Sequence, residues 1–270
     1  MFRMLITREI FVKRSLFRIK NIRGRCMNTI LKLNNVNKIY NSFSLKKVSF
    51  QIREGDIIGL LGRNGSGKTS TIKAILDLIT IDGGEIDFLN GSVKENFEKI
   101  GVVLEQCNYF DNYTVLEVET IHSRIYKMWD EELFNRIIRF FDLPLKSLVK
   151  NFSQGMRKQL CFAVVLSFHP KLLILDELTS GLDPSIRESV WKILKSYVQN
   201  DNTAVLFSTH VMEDVIKITN KIIILNNGEI VENAETEKLL EHEKQITKLE
   251  KIEEIFKKYT EGNSIERVTY

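Results

Sequence analysis

Long apolar runs are missing from this 270-residue chain. The longest strongly apolar stretch, Leu160 to Phe168, has nine residues, against the ~20 that a membrane-spanning helix needs. The chain therefore does not cross a bilayer by itself, and any channel it serves belongs to another polypeptide. Cysteine is scarce as well. Cys26, Cys107 and Cys161 are odd in number, widely spaced and without CxxC pairing, which argues against a disulfide framework or a zinc site and for a reducing compartment. No internal repeat is visible. The N-terminus has no uninterrupted apolar segment, because basic residues break it every few positions, so it makes a poor secretory signal.

What is present is ordinary in bulk: 43% hydrophobic and 27% charged residues, as in a globular protein long enough for one large or two small domains. The net charge of +4 is unevenly placed. Residues 1–26 carry eight basic side chains against Glu9, a segment charge of +7, which leaves −3 for the rest. A basic average is thus no argument for nucleic-acid binding by the body of the chain. Three readings of the segment stay open: a misplaced start with Met27 as initiator, a basic amphipathic tail touching a membrane or partner, or plain disorder.

Leu31 to Ile39 and Val48 to Ile52 alternate apolar and polar residues, as half-buried antiparallel strands do. Ile57 to Leu61 is instead continuously apolar, as are Gly101 to Leu104, Leu172 to Leu175, Ala204 to Ser208 and Ile222 to Leu225; such runs suit buried parallel strands. Thr69 to Ile79 has a helical apolar face, and residues ~115–150 read as mostly helical. Strands alternating with helices predict an α/β fold with a mostly parallel sheet. Beyond Glu235 the spacing of Leu239, Leu240, Ile246, Leu249, Ile252, Ile255, Phe256 and Tyr259 predicts an amphipathic helix. Its seam is too short and irregular for a coiled coil, which favours packing on its own domain.

Gly62-Arg63-Asn64-Gly65-Ser66-Gly67-Lys68-Thr69 fits GxxxxGK[ST] between a buried strand and a helix. Glycines let successive N–H groups wrap an anion, and the helix N-terminus adds partial positive charge. Lys68 is placed to reach β- and γ-phosphates and the Thr69 hydroxyl to ligate Mg²⁺, with Ser70 adjoining. Asp176 ends the strand Leu172 to Leu175, where a carboxylate holds Mg²⁺ directly or through water. Glu177 follows it, placed to polarise an attacking water.

The ordered set GRNGSGKT (62–69), NFSQGMRKQL (151–160), LLILDE (172–177), SGLD (180–183) and STH (208–210) resembles the ATP-binding cassette (ABC) ATPases from about Leu31 to Ile230. The resemblance implies a P-loop NTPase core with an N-terminal antiparallel β subdomain and an α-helical insertion. It implies ATP and Mg²⁺ as ligands, and a homodimer or heterodimer in which Ser153, Gln154 and Gly155 of one monomer address the γ-phosphate held by the other. It further implies that His210 positions water with Glu177, that Asp183 signals across the dimer, and that Tyr40 stacks on adenine. Taken singly, Ser153 reads as a helix cap, His210 as a surface residue and Tyr40 as packing.

Three positions depart from the family pattern. Where it usually has a Gln after the strand Gly101 to Leu104, Glu105 stands with Gln106 next, and either is a candidate Mg²⁺ ligand. Leu178 replaces the Pro expected after the acid pair, and the stretch before Ile252 to Phe256 is short. Glu105 with the SQGM signature resembles exporters of the bacitracin and lantibiotic immunity branch. The expected organisation is a basic extension at 1–28, an ATPase domain at 29–235 with a helical subdomain at about 115–168, and a charged amphipathic helix at 236–270. The expected role is an ATPase subunit on the inner face of the cell membrane, driving export of a drug, peptide or lantibiotic through a separate permease. A soluble ABC ATPase acting as a conformational switch in an assembly is the alternative.

Overall fold

The computed structural model describes residues 28–107, 110–240 and 248–261. The basic extension up to Met27, and the parts of the C-terminal stretch at 241–247 and 262–270, lie outside the described residues. The chain first forms β1 (Thr29–Ile39), β2 (Ser44–Arg53), β3 (Ile57–Leu61), α1 (Lys68–Ile75) and β4 (Gly83–Phe88). It continues through β5 (Ile100–Val103), α2 (Val115–Ile125), α3 (Glu131–Phe140), α4 (Gln154–Ser167), β6 (Leu172–Asp176) and α5 (Pro184–Asp201). Last come β7 (Ala204–Thr209), α6 (Met212–Ile218), β8 (Lys221–Asn226), β9 (Glu229–Glu235), α7 (Thr236–Leu240) and α8 (Lys248–Glu261). Contacts gather these into two units: residues 28–97 with the chain from 205 onward, and residues 98–204.

In the first unit β1 pairs antiparallel with β2, Leu33 opposite Phe50 and Val36 opposite Val48, so the alternating apolar residues share one buried face. The other side of β1 carries β4. Of β4 only Phe88 is buried, which is why alternation does not announce that strand. The second sheet of this unit has β3 at its centre, buried at every residue, parallel to β7 on one side and β8 on the other. Next to β8, β9 runs antiparallel after the turn at Asn227 and Gly228, both at positive φ, as an Asn-Gly hairpin requires. Leu61, Val215, Ile222, Ile224 and Ile252 form a buried cluster with Leu239, Ile255, Phe256 and Tyr259 packed against it. The apolar face of α8 thus lies on its own unit.

Helix α1 stops earlier than its apolar pattern predicts, at Ile75 and not Ile79. Asp77 turns left-handed at φ 54°, its N–H reaches the Ala74 carbonyl, and the Leu78 N–H reaches that of Lys73 at 2.9 Å. These paired bonds satisfy orphan carbonyls at the helix end, and they leave Leu78 59% exposed. In the second unit Asp142 and Leu143 close α3 with the same pair of bonds, to Arg139 and Ile138. There β5 and β6 are parallel, and a Cβ on Gly101 would meet Leu173 at 2.8 Å and Val165 of α4 at 3.1 Å. Only glycine lets helix and strand approach so closely. Helix α2 opens with a capping box between Thr114 and Glu117.

Candidate functional site

The first unit holds the phosphate-loop residues, Tyr40 and His210. Gly62 leaves β3 so tightly that a Cβ there would collide with Ser66 Oγ and lie 2.6 Å from the Leu225 carbonyl. Arg63, Asn64 and Gly65 are exposed, whereas Ser66, Gly67 and Lys68 turn inward and are buried. Gly67, at φ 111°, is the N-cap of α1 and supplies no side-chain cap, nor does the first turn contain an acid. The helix terminus therefore keeps its partial positive charge unmatched. Lys68 Nζ bends back to donate to the carbonyls of Gly62 at 2.7 Å and Arg63 at 3.3 Å. Ser66 Oγ is buried without a hydrogen-bond partner. A buried orphan hydroxyl is costly unless a ligand satisfies it, so the loop's own chemistry fits a phosphate. Thr69 is exposed and Ser70 half-buried beyond it.

Two supports of this loop escape the motif reading. Phe43 Cζ would lie 2.9 Å from a Cβ on Gly67. Tyr40 packs on that ring at 6.2 Å between centroids, and the Lys38 ammonium lies over the Tyr40 ring, 5.8 Å from its centroid. Tyr40 thereby stands at the loop through Phe43, at 37% exposure. Gly228 N–H donates to the Ser66 carbonyl at 2.9 Å, so the β8–β9 turn buttresses the loop. An Asn-Gly dipeptide is a hairpin signal, but nothing in the sequence ties Asn227-Gly228 to residue 66. His210 is exposed just past β7.

The second unit holds the acid pair, the signature residues, Asp183, Glu105 and Gln106. Asp176, the last residue of β6, is 5% exposed. Glu177 is half-buried at φ 50°, a left-handed conformation unusual outside glycine. Leu178, where a Pro was expected, is buried. Ser153 caps α4 by accepting from the Met156 N–H at 3.2 Å, and Ser153 and Gln154 are exposed. Gly155 is half-buried against Leu182 of the SGLD loop, 3.2 Å from where a Cβ would sit. Asp183 is exposed at the N-cap of α5 and makes no side-chain cap, with Pro184 opening the helix. Glu105 and Gln106 are both exposed past β5, followed by the buried Cys107, whose Sγ donates to the Leu104 carbonyl at 3.2 Å.

Among the described residues no three or more His, Cys, Asp or Glu converge as a metal cage. Mg²⁺ does not need one, since it keeps waters and substrate phosphates beside one or two protein oxygens. A solvent-open depression of about 420 Å³, lined by Arg53, Lys221, Glu235 and Lys238 among others, shares no residue with the motifs.

A glycine-rich loop with an inward Lys, opening an uncapped helix off a buried parallel strand, defines a phosphate-loop nucleotide-binding protein. The chain belongs to the ABC transporter family, whose pattern matches residues 45–180. It is 32% identical over 213 residues to the bacitracin transport ATP-binding protein BcrA of Bacillus licheniformis, covering 76% of this chain and 70% of that one. It is also 32% identical over 200 residues to the ABC transporter ATP-binding protein YtrB of Bacillus subtilis, covering 73% and 68%. The fold matches the ATP-binding subunit of an ABC transporter at a TM-score of 0.74 and 22% identity, over 84% of this chain and 99% of the other. A dimeric ATP-binding cassette in a post-hydrolysis state, bound to ADP and phosphate, matches at 0.67 and 25% identity, over 76% and 98%. The chain is therefore an ATP-binding subunit of an ABC transporter, and its reaction is ATP hydrolysis. Among the described residues no helix is long and apolar enough to cross a membrane.

Proposed function

We propose that two ATP-binding domains, as a homodimer or heterodimer, clamp two MgATP and so drive export through a separate membrane permease at the inner face of the cell membrane. One observation carries the dimer: the N-terminus of α4 exposes Ser153 and Gln154 and has no acid in its first turn. Such a terminus attracts anions, and one on the surface of one copy is available to the phosphate held by another.

In this reading the 62–69 loop wraps the β- and γ-phosphates. Lys68 transfers its ammonium from the Gly62 carbonyl to phosphate oxygen, and Ser66 Oγ gains the partner it lacks. Tyr40 stacks on the base. Thr69, Asp176 and either Glu105 or Gln106 would hold Mg²⁺, which when bound neutralises charge on the transferring phosphoryl group. Glu177 accepts a proton from the attacking water, His210 orients that water, and Asp183 carries the state of one site to the other. ATP bridges the two surfaces; hydrolysis and phosphate loss remove the bridge, a ligand-driven population shift. Export as the direction is supported by the relative named for Nod factor export, and a drug, peptide or lantibiotic as the cargo by the one named for bacitracin transport.

The test is light scattering with ATP and Mg²⁺ on wild type and Glu177→Gln, beside phosphate release. Glu177→Gln is expected to lose hydrolysis by about 10²- to 10⁴-fold and to accumulate as an ATP-bound dimer. Hydrolysis at the wild-type rate would remove Glu177 from the mechanism. Isolation of the native protein with a polytopic membrane protein is expected, and isolation in a soluble assembly would move it to the conformational-switch class.

A further inference from the structure

Lys158 lies on α4, five residues past Ser153, and is 1% exposed. Its Nζ donates to the carbonyl of Glu177 at 2.6 Å and to that of Ser180 at 2.9 Å. Burying an ammonium is costly, and desolvation pushes the Lys158 pKa down, with Cys107, Glu105, Glu177 and Asp176 opposing. A buried cation spent on two main-chain oxygens needs a reason, and the conformation of Glu177 supplies one. At φ 50° Glu177 has left the extended conformation of β6, which ends at Asp176. Its carbonyl oxygen accepts from both Lys158 Nζ and the Ser180 N–H, the latter at 3.2 Å. Charge-assisted bonds are the stronger kind, so Lys158 ties down the main chain of a left-handed residue more firmly than the Ser180 N–H does.

From this strap we infer that Lys158 is a positioning residue for hydrolysis: it sets the backbone of Glu177, and so the placement of its carboxylate, without touching nucleotide. The inference rests on Glu177 being the group that accepts the proton. The strap also joins the helix that begins at Ser153 to the loop that begins at Glu177 and runs into Asp183. A shift at the α4 N-terminus is thereby transmitted to the Glu177 main chain within one unit.

The test compares Lys158→Met, which keeps the length and removes the donors, with Lys158→Gln, which keeps two N–H donors on a shorter arm. In Lys158→Met, kcat is expected to fall by about 10- to 100-fold, the scale of a misplacement of about 1 Å, while KM for ATP stays within about threefold. Lys158→Gln is expected to recover most of kcat. Hydrogen exchange across 177–182 is measured on the same samples and is expected to quicken in proportion to the loss of kcat. Should Lys158→Met not fold, the pairing of exchange and kcat in Lys158→Gln decides alone. Faster exchange with unchanged kcat, or lowered kcat with unchanged exchange, overturns the proposal. Glu177→Gln run alongside separates this failure from the deeper one, since full activity there removes the footing of both.

Discussion

Two helix N-termini carry the proposed chemistry of this chain, and they are built in opposite ways. Helix α1 opens on Gly67 with no side-chain cap, and the buried Lys68 seals the loop in front of it onto the loop's own carbonyls. Helix α4 opens on Ser153, which caps it from within, yet the terminus stays exposed. Neither has an acid in its first turn, whereas α2 has Glu117 in a capping box and α3 has Asp130 capping, with Glu131 and Glu132 behind it. Where a helix only builds the fold, the sequence neutralises its positive end with carboxylates. At the two termini proposed to meet phosphate, the first turn carries none. The α1 terminus is pre-folded as an anion cradle within one copy, whereas the proposed site at the α4 terminus is completed only by the phosphate held on another.

That contrast breaks most visibly at Lys68. Lys68→Met keeps the stem and removes the charge-assisted donors, worth about 1.5–3 kcal/mol. ATP affinity of the chain is expected to fall by about 10- to 150-fold in a titration with a fluorescent ATP analogue. Unchanged affinity would mean that the ammonium serves only to close the loop on Gly62. Ser153→Asp probes the other terminus more selectively. Asp caps as well as Ser, so the thermal midpoint and nucleotide affinity should hold, while a carboxylate facing phosphate should weaken ATP-dependent dimerisation by about tenfold or more. If α4 were capped for stability alone, dimerisation by Ser153→Asp would match wild type.

The sequence made these two termini legible because each motif is a run of contiguous residues whose spacing is its mechanism. GRNGSGKT between an apolar strand and an apolar helical face leaves little else to fold. The buried strands β3, β6, β7 and β8 were legible for the same reason, as uninterrupted apolar runs. What stayed hidden was whatever depends on partners distant in the chain. Strands β4 and β9 lie at sheet edges and between them fully bury only Phe88, so neither shows alternation. Phe43 and Gly228 act on the loop only because folding brings them to Gly67 and Ser66. Lys158 looked like one more basic residue in a helix, and nothing local says that its ammonium ends on Glu177. The early end of α1 is a case of backbone against pattern: Leu78 and Ile79 continue the apolar spacing, but the left-handed turn at Asp77 has already closed the helix.

The far end of α4 sharpens the comparison, because there the helix is closed internally. His169, at φ 52° just past the C-cap Phe168, sits between carboxylates, with Nε2 3.4 Å from Asp130 and Nδ1 3.5 Å from Asp201. Hydrogen bonding to Asp201 leads in raising its pKa, burial opposes, and the charges of Asp201 and Asp130 add to the rise. A cation at a helix C-terminus is favourable, and a pKa raised by folding is stability linked to protonation. The His169 contribution is therefore fully present below the unfolded value of about 6.5 and fades as pH climbs through the raised folded value. His169→Asn tolerates the left-handed backbone and removes only the ionisable ring. It is expected to destabilise by about 1 kcal/mol more at pH about 6 than at pH about 9, read as the difference in urea midpoints. A cost independent of pH would mean that the ring is held for packing against Tyr197, on which it stacks at 6.1 Å, and that the C-terminus of α4 is closed by shape and not by charge.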